Sequence, residues 1–156
     1  MTFNKNNNVR LLFLVLLLVW CSGFLFPVIT PAFEGKSFIS HIVGYNYSLV
    51  CHQPDPENFV FIESKFLVCA RCAGIYLGAL LTVIILIVGS FKMDLSLKTF
   101  ILFSSPMFFD AAAVRVNLYS YSDLFSFFTG ILFGGIAIIY IIEIIEKSLH
   151  LPRGKI

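Results

Sequence analysis

Four apolar runs divide this sequence, and each is long enough to cross a lipid bilayer. They cover residues 11–29, 73–89, 97–114 and 124–142. A membrane-spanning helix needs about 20 predominantly apolar residues, with a working range of about 17–25. The sequence therefore predicts an all-α membrane protein with about four transmembrane helices, built as a single integral membrane domain over residues 1–156.

Composition excludes the main soluble alternatives. Hydrophobic residues make up 58% of the chain and charged residues 13%, whereas an average globular chain has about 45–50% and about 25%. A soluble domain of this size leaves roughly a third of its surface in water and could not hide so much apolar surface. The net charge of +2 is too small to indicate nucleic-acid binding. We therefore expect the lipid bilayer to be the main partner of the chain.

The first run, Leu11 to Ile29, is either a cleaved signal peptide or a permanent anchor. The apolar part of a signal peptide is about 7–15 residues long and precedes a small-residue cleavage site. This run is longer, and no such site follows it. We therefore expect an uncleaved first span.

The distribution of Lys and Arg predicts the orientation, because short cytoplasmic loops carry an excess of these residues. With the N-terminus in the cytoplasm, the cytoplasmic side holds seven of them and the other side four. The seven are Lys5, Arg10, Lys92, Lys98, Lys147, Arg153 and Lys155, and the four are Lys36, Lys65, Arg71 and Arg115. This count predicts that both termini lie in the cytoplasm and that the long first loop, residues 30–72, lies outside.

Two small-residue motifs predict close helix packing. Gly74 and Gly78 lie in the second run, and Gly130 and Gly134 lie in the fourth. Glycines at this spacing let helix backbones approach closely in lipid. We expect spans two and four to pack against another helix, and these faces are candidates for a homo-oligomer or for contact with a membrane partner.

The first loop carries the residues most suited to chemistry. Cys51 and His52 precede a polar turn, and Cys69 and Cys72 form a CxxC motif where the second span begins. Residues 59–62 and 66–68 are rich in aromatic and β-branched types, a pattern that favours a short β-hairpin. Such a hairpin would return the chain and bring the four side chains together.

Three interpretations of this cluster stay open. Zinc binds four thiolate or imidazole ligands in a tetrahedron, and CxxC is a common half-site. A CxxC at a helix N-terminus also suits a thiol–disulfide oxidoreductase, because the helix dipole and Arg71 favour a thiolate. The third interpretation is a structural disulfide, which would persist outside the cytoplasm. The leading prediction is a metal site, most plausibly zinc, with Cys51, His52, Cys69 and Cys72 as ligands.

Three further residues are candidates for supporting or proton-handling roles, namely Gln53, Arg71 and Asp110. An acid within a span is costly and indicates a functional site by default. Asp110 is expected at the same end of the third span as the cysteine cluster. There it would pair with Arg71, accept a proton or supply an oxygen ligand, and the alternative is an interfacial position in contact with water or Arg115.

The segments CHQ at residues 51–53 and CARCAGIYLG at residues 69–78 resemble the CHQ…CARCxGIYxG signature of a known family. That family is the domain of unknown function 2085, a group of small bacterial membrane proteins. The resemblance implies a multi-pass protein of the bacterial inner membrane and implies no activity. Ser126 stands where members often carry Arg, and Asp110-Ala111 stands where they carry Asp-Gly, so the polar part of the site is expected to be reduced.

A second resemblance concerns topology alone. Quinone-linked disulfide-oxidising proteins of the bacterial periplasm also have four spans and a CxxC where the second span begins. They carry a second cysteine pair in another outer loop, whereas this sequence has no cysteine after Cys72. The oxidoreductase interpretation, which uses Cys69 and Cys72, is therefore the alternative to the metal site.

Overall fold

The computed structural model describes residues 5–29, 38–51, 60–61, 64–65, 68–89 and 95–150, and these are almost entirely helical. In chain order the elements are α1 (Lys5–Ile29), α2 (Phe38–Val50), β1 (Val60–Phe61), β2 (Ser64–Lys65), α3 (Ala70–Gly89), α4 (Leu97–Arg115) and α5 (Asp123–His150).

Four of the helices are long and apolar enough to cross a membrane, which confirms the predicted fold class. The candidate spans are Asn7–Leu25, Ala70–Gly89, Leu97–Arg115 and Asp123–Ser148. The third is one continuous helix although it contains Pro106. The fourth continues past the predicted end at residue 142 and includes Glu143 and Glu146.

Helices α3 and α5 pack closely through their glycines. A Cβ at Gly74 or Gly78 would collide with the backbone of α5, and one at Gly130 or Gly134 would collide with the backbone of α3. The predicted close packing is therefore present, but each face meets the other within one chain. The faces named as candidates for a homo-oligomer or membrane partner are thus covered inside the bundle, since small residues at this spacing serve any helix pair.

One end of the bundle is joined by a buried arginine. Arg10 of α1 donates from Nε to Oε1 of Glu146 at 2.9 Å and from a terminal nitrogen to the carbonyl oxygen of Leu86 at 2.8 Å. Leu86 lies in the last turn of α3, where helix carbonyls lack partners within the helix. Glu143 accepts a hydrogen bond from the backbone N–H of Leu95 and pairs with Lys147. These contacts lie at the end of the bundle where α1 begins and α5 ends, and we call it the arginine end.

The other end contains the cysteine cluster, and we call it the cysteine end. A buried apolar group surrounds it, consisting of Cys21, Phe24, Tyr47, Cys51, Val68 and Ala73. Helix α2 joins this group through Tyr47, whose hydroxyl donates to the carbonyl oxygen of Trp20 on α1. The sequence predicts the segment of α2 as part of the first loop, residues 30–72, and not as a helix.

The turn after α4 returns the chain toward this end. Asn117 has a positive φ of 55°, a left-handed conformation that Asn adopts more readily than most residues. The N–H of Leu118 donates to the carbonyl of Ala113, and that of Asn117 donates to the carbonyl of Val114. This is the Schellman pattern of a helix C-terminus. It directs the following residues back along α4 toward Asp110.

Candidate metal centre at the cysteine end

Three cysteines converge where α2 ends and α3 begins. Cys51 directly follows α2, Cys69 directly precedes α3, and Cys72 lies in the first turn of α3. Their Sγ atoms all lie within 4.8 Å of one another. All four cysteines of the chain lie in described positions, and none of them forms a disulfide.

The chain between the cysteines turns back in a short hairpin, as predicted. Val60 pairs with Lys65 and Phe61 with Ser64 in an antiparallel register. The turn comes earlier than expected, because Ser64 and Lys65 belong to the second strand and not to the connection. Val68, which is fully buried, then anchors the chain directly before the CxxC motif. His52 and Gln53 lie outside the described residues.

Backbone N–H groups point at two of the sulfur atoms. The N–H of Cys69 donates to Sγ of Cys51 at 3.1 Å, and the N–H of Cys72 donates to Sγ of Cys69 at 3.5 Å. Hydrogen bonds to the charged form of a group favour that form. These amides therefore stabilise negative charge on the sulfurs and fix the orientation of both side chains.

The three thiols share their protons unequally. Hydrogen bonds from the thiols of Cys51 and Cys72 lower the pKa of Cys69 to about 2, and the charge of Arg71 acts in the same direction. Hydrogen bonding to Cys69, together with burial, raises the pKa of Cys51. Negative charge is therefore favoured on Cys69, and a bound cation would displace any protons that the neighbouring thiols carry.

The sulfur geometry suits a soft metal ion. Two thiolates that bind one tetrahedral zinc at about 2.3 Å lie about 3.8 Å apart. The observed upper limit of 4.8 Å requires only small rotations of side chains to reach that value. Thiolates select soft or borderline ions such as Zn²⁺ and Cu⁺ over Mg²⁺ and Ca²⁺. A soft ion bound here would have the three cysteines as three of its four tetrahedral ligands.

A buried ion pair lies beside the cysteines. Arg71, between Cys69 and Cys72 in the sequence, donates to Oδ2 of Asp110 at 2.7 Å. Ser126 of α5 donates to the same oxygen at 2.9 Å, and the hydroxyl of Tyr119 donates to Oδ1. The pairing with Arg71 is one of the possibilities that the sequence left open for Asp110.

The surroundings of this carboxylate are closed. The Asp110 side chain is 0% exposed and the Arg71 side chain 21%. The Arg71 guanidinium also lies over the ring of Tyr121, 5.9 Å from its centroid. A charge in a low-dielectric interior is tolerated when it is paired and fully hydrogen-bonded, and both oxygens of Asp110 meet that condition. The network links α3, α4 and α5 at the level of the CxxC motif.

Comparison with known proteins places the site in a family. The family model described as "Predicted membrane protein (DUF2085)" matches residues 51–141. The chain belongs to this family. The match begins at Cys51 and includes the other two cysteines, Arg71, Asp110 and Ser126. The residues of α1 and α2 that pack around the cysteines precede the matched region.

A relative is likewise without an assigned activity. The uncharacterized protein MJ1492 of Methanocaldococcus jannaschii is 30% identical to this chain over 140 residues, covering 86% of this chain and 90% of the relative. No solved structure matches the chain. Membership of the DUF2085 family thus shows that this chain is a predicted membrane protein. Any statement about its chemistry rests on the geometry of the site.

Four contributors to the site were missed by sequence reasoning, namely Tyr47, Tyr119, Tyr121 and Ser126. Tyr47 and Cys51 lie four residues apart on one face of α2, a spacing that would have indicated a helix carrying Cys51. Ser126 was treated only as the loss of an arginine, yet its fully buried hydroxyl bonds Asp110. No periodic signal in the sequence connects Ser126 with Asp110, because their contact depends on how α4 packs against α5.

Proposed function

We propose that this protein binds a zinc ion at the cysteine end, with Cys51, Cys69 and Cys72 as thiolate ligands and His52 as the fourth ligand. The observation that supports the proposal is the convergence of three unbridged Sγ atoms within 4.8 Å of one another. Four protein ligands would complete the tetrahedron, the arrangement typical of structural zinc sites. The ion would then join the end of α2 to the start of α3.

The proposal gives the ion a role in folding. Cys51 lies 18 residues before Cys69 in the sequence, and the described part of the connecting segment has only a short two-residue ladder. An isolated two-stranded hairpin is marginally stable in water. A bound ion would stabilise the folded arrangement, because the binding free energy of a structural metal is available only to the folded state.

The proposed location is the outer face of a bacterial inner membrane, with both termini in the cytoplasm. The excess of Lys and Arg on the side of the termini supports this orientation. In this orientation the arginine end faces the cytoplasm.

A second candidate function is thiol–disulfide exchange through Cys69 and Cys72. The lowered pKa of Cys69 favours it, because the thiolate is the attacking species in this chemistry. Oxidation of the Cys69 thiolate and the Cys72 thiol to a disulfide would pass two electrons and one proton to a disulfide of the substrate, which would be reduced to a thiol and a thiolate. The same three cysteines serve both functions, so their response to chelator and to reductant distinguishes them.

The test is alkylation of the cysteines by maleimide in native membranes, in a Cys21→Ala background. Zinc-bound thiolates resist alkylation until the ion is removed, whereas a disulfide resists until it is reduced. We expect protection that chelator removes and reductant does not. SDS-treated samples under each condition control for shielding by lipid. Release by reductant alone would instead establish the disulfide, and labelling without any treatment would contradict both functions.

A histidine variant tests the fourth ligand. His52→Ala should increase the labelling of all three cysteines together, because the loss of one ligand weakens a shared site. His150→Ala is the matched control, since His150 ends α5 at the opposite end of the bundle and should leave labelling unchanged. Equal labelling in the two variants would remove His52 from the ligand set.

A further inference from the structure

Helix α2 has two faces of different character. Tyr47 and Cys51 point into the bundle and are buried, whereas Ile42, Tyr45 and Leu49 are 47%, 67% and 69% exposed. The exposed residues recur at the spacing of one helix face. No Asp, Glu, Lys or Arg occurs anywhere in α2. A helix that exposed this face to water would normally carry charged residues there.

The attachment of α2 places it beside the first span and not beyond its end. The Tyr47 hydroxyl donates to the carbonyl of Trp20, and Gly23 lies so close to Tyr47 that a Cβ would collide with it. Trp20 lies nine residues before Ile29, the last residue of α1, or about 13.5 Å of helix. The contact between the two helices therefore lies within the length of α1.

Two polar side chains of α2 donate hydrogen bonds within the helix itself. Asn46 donates from Nδ2 to the carbonyl of Ile42, and Ser48 donates from Oγ to the carbonyl of Tyr45, both at 2.8 Å. Ser22 and Ser105 in the spans do the same with their own helices. Lipid offers no partners to free donors, so α2 shares an adaptation of the spanning segments.

We infer that α2 is an interfacial helix, with Ile42, Tyr45 and Leu49 in contact with phospholipid of the leaflet at the cysteine end. Phospholipid is the occupant because the exposed face of α2 carries no charged residue and α2 packs on α1, a candidate spanning helix on which Val15 and Val19 are also exposed. Cys51 directly follows α2. The cysteine cluster therefore sits at the boundary between lipid and water, whichever chemistry it performs.

The test measures the depth of a tryptophan in lipid vesicles. Trp20 is the single tryptophan of the chain, and Trp20→Phe keeps the backbone carbonyl that Tyr47 contacts. In this background, Tyr45→Trp is compared with Leu16→Trp, in the middle of the first span, and with Ser120→Trp, in the turn between α4 and α5. Each variant is reconstituted in phosphatidylcholine brominated either near the glycerol end or near the middle of the acyl chains.

We expect shallow bromines to quench Tyr45→Trp at least about twofold more than deep bromines, as for an interfacial helix. Leu16→Trp should show the reverse preference, and Ser120→Trp should respond chiefly to aqueous acrylamide. Tyr45→Trp that is quenched by acrylamide as strongly as Ser120→Trp would overturn the inference. If neither the brominated lipids nor acrylamide quenched Tyr45→Trp, the inference would also be overturned, and a protein partner on this face would be indicated.

The fold of each variant is checked by circular dichroism before the comparison. If Trp20→Phe does not fold, Tyr45→Trp is added to the wild-type chain and the wild-type fluorescence is subtracted, which leaves the same prediction in place. The zinc proposal does not enter this measurement, so the inference about α2 stands or fails independently of it.

Discussion

Both ends of the helical bundle contain an arginine paired with a carboxylate, but the two pairs have different surroundings. At the arginine end, Arg10 binds Glu146 and a backbone carbonyl of α3. At the cysteine end, Arg71 binds Asp110, and two hydroxyl groups complete the hydrogen bonding of the carboxylate. Among the described residues, the second pair lies beside the three clustered cysteines.

The comparison distinguishes an ion pair that stabilises helix packing from one that also lies at the candidate metal site. Arg10 connects three helices by joining a side chain of α5 and the last turn of α3 to α1. Arg71 also connects helices, but its position between Cys69 and Cys72 couples that connection to the orientation of the CxxC turn. A change at the arginine end should therefore alter stability alone, whereas a change at the cysteine end should alter stability and metal binding together.

The largest effect is expected when each carboxylate is neutralised. Asp110→Asn and Glu146→Gln keep side-chain volume but leave a buried arginine without its countercharge, which costs about 3 kcal/mol in stability. Asp110→Asn should also weaken zinc binding about tenfold, as changes in residues that support ligands do. Glu146→Gln should leave zinc affinity unchanged. Thermal unfolding in detergent and competition with a zinc chelator measure the two quantities.

Equal changes in zinc affinity for Asp110→Asn and Glu146→Gln would contradict this distinction between the two ends. If Asp110→Asn retains the wild-type zinc affinity while its melting temperature falls, the Arg71–Asp110 pair only stabilises the packing of the helices. Asp110→Glu provides a further control, because it restores the charge and should recover part of the affinity that Asp110→Asn loses.

An intermediate effect is expected at the α3–α5 interface that connects the two ends. Gly134→Ala places a Cβ against the backbone of Ile75, whereas the same change at Gly44 meets no atom within 4 Å. Overpacking of this kind costs about 1–3 kcal/mol. Gly134→Ala should lower the melting temperature in detergent, and Gly44→Ala should not. Equal melting temperatures would show that α3 and α5 do not pack as closely as described.

The smallest effect is expected from Tyr119→Phe, which removes one hydroxyl donor from Asp110 and keeps the Arg71 pair. The loss of one hydrogen bond to a charged group costs about 1.5–3 kcal/mol when buried, and less here because Tyr119 is 36% exposed. We expect about 1 kcal/mol of lost stability with little change in zinc affinity. A loss as large as that of Asp110→Asn would mean that Tyr119 and not Arg71 holds the carboxylate in place.

The spans were predictable from the sequence because lipid imposes one simple requirement, a long uncharged apolar run. Residues 73–89 and 97–114 agree with α3 and α4 to within a few residues at each end. The limits of α1 and α5 were less predictable. Arg10 and Glu146 lie beyond the predicted spans, yet they pair with each other across α1 and α5, and Glu143 accepts a hydrogen bond from Leu95 before α4.

The site was predictable where it depends on local spacing and not where it depends on packing. The convergence of Cys51 with Cys69 and Cys72 follows from a hairpin that the sequence favours. The contribution of Ser126 required the crossing of α4 and α5, which apolar patterning does not specify. The intramolecular pairing of Gly74 and Gly78 with α5 was undetermined for the same reason, since a glycine face does not identify its partner.

X-ray absorption at the zinc edge tests the central claim most directly, on protein purified in detergent without added chelator. We expect about one zinc per chain, with three sulfur neighbours at about 2.3 Å and one nitrogen neighbour at about 2.0–2.1 Å. Cys51→Ser should lose most of the metal or replace one sulfur by a lighter neighbour. Zinc with only oxygen and nitrogen neighbours, or purified protein with three titratable thiols and no metal, would contradict the proposed site.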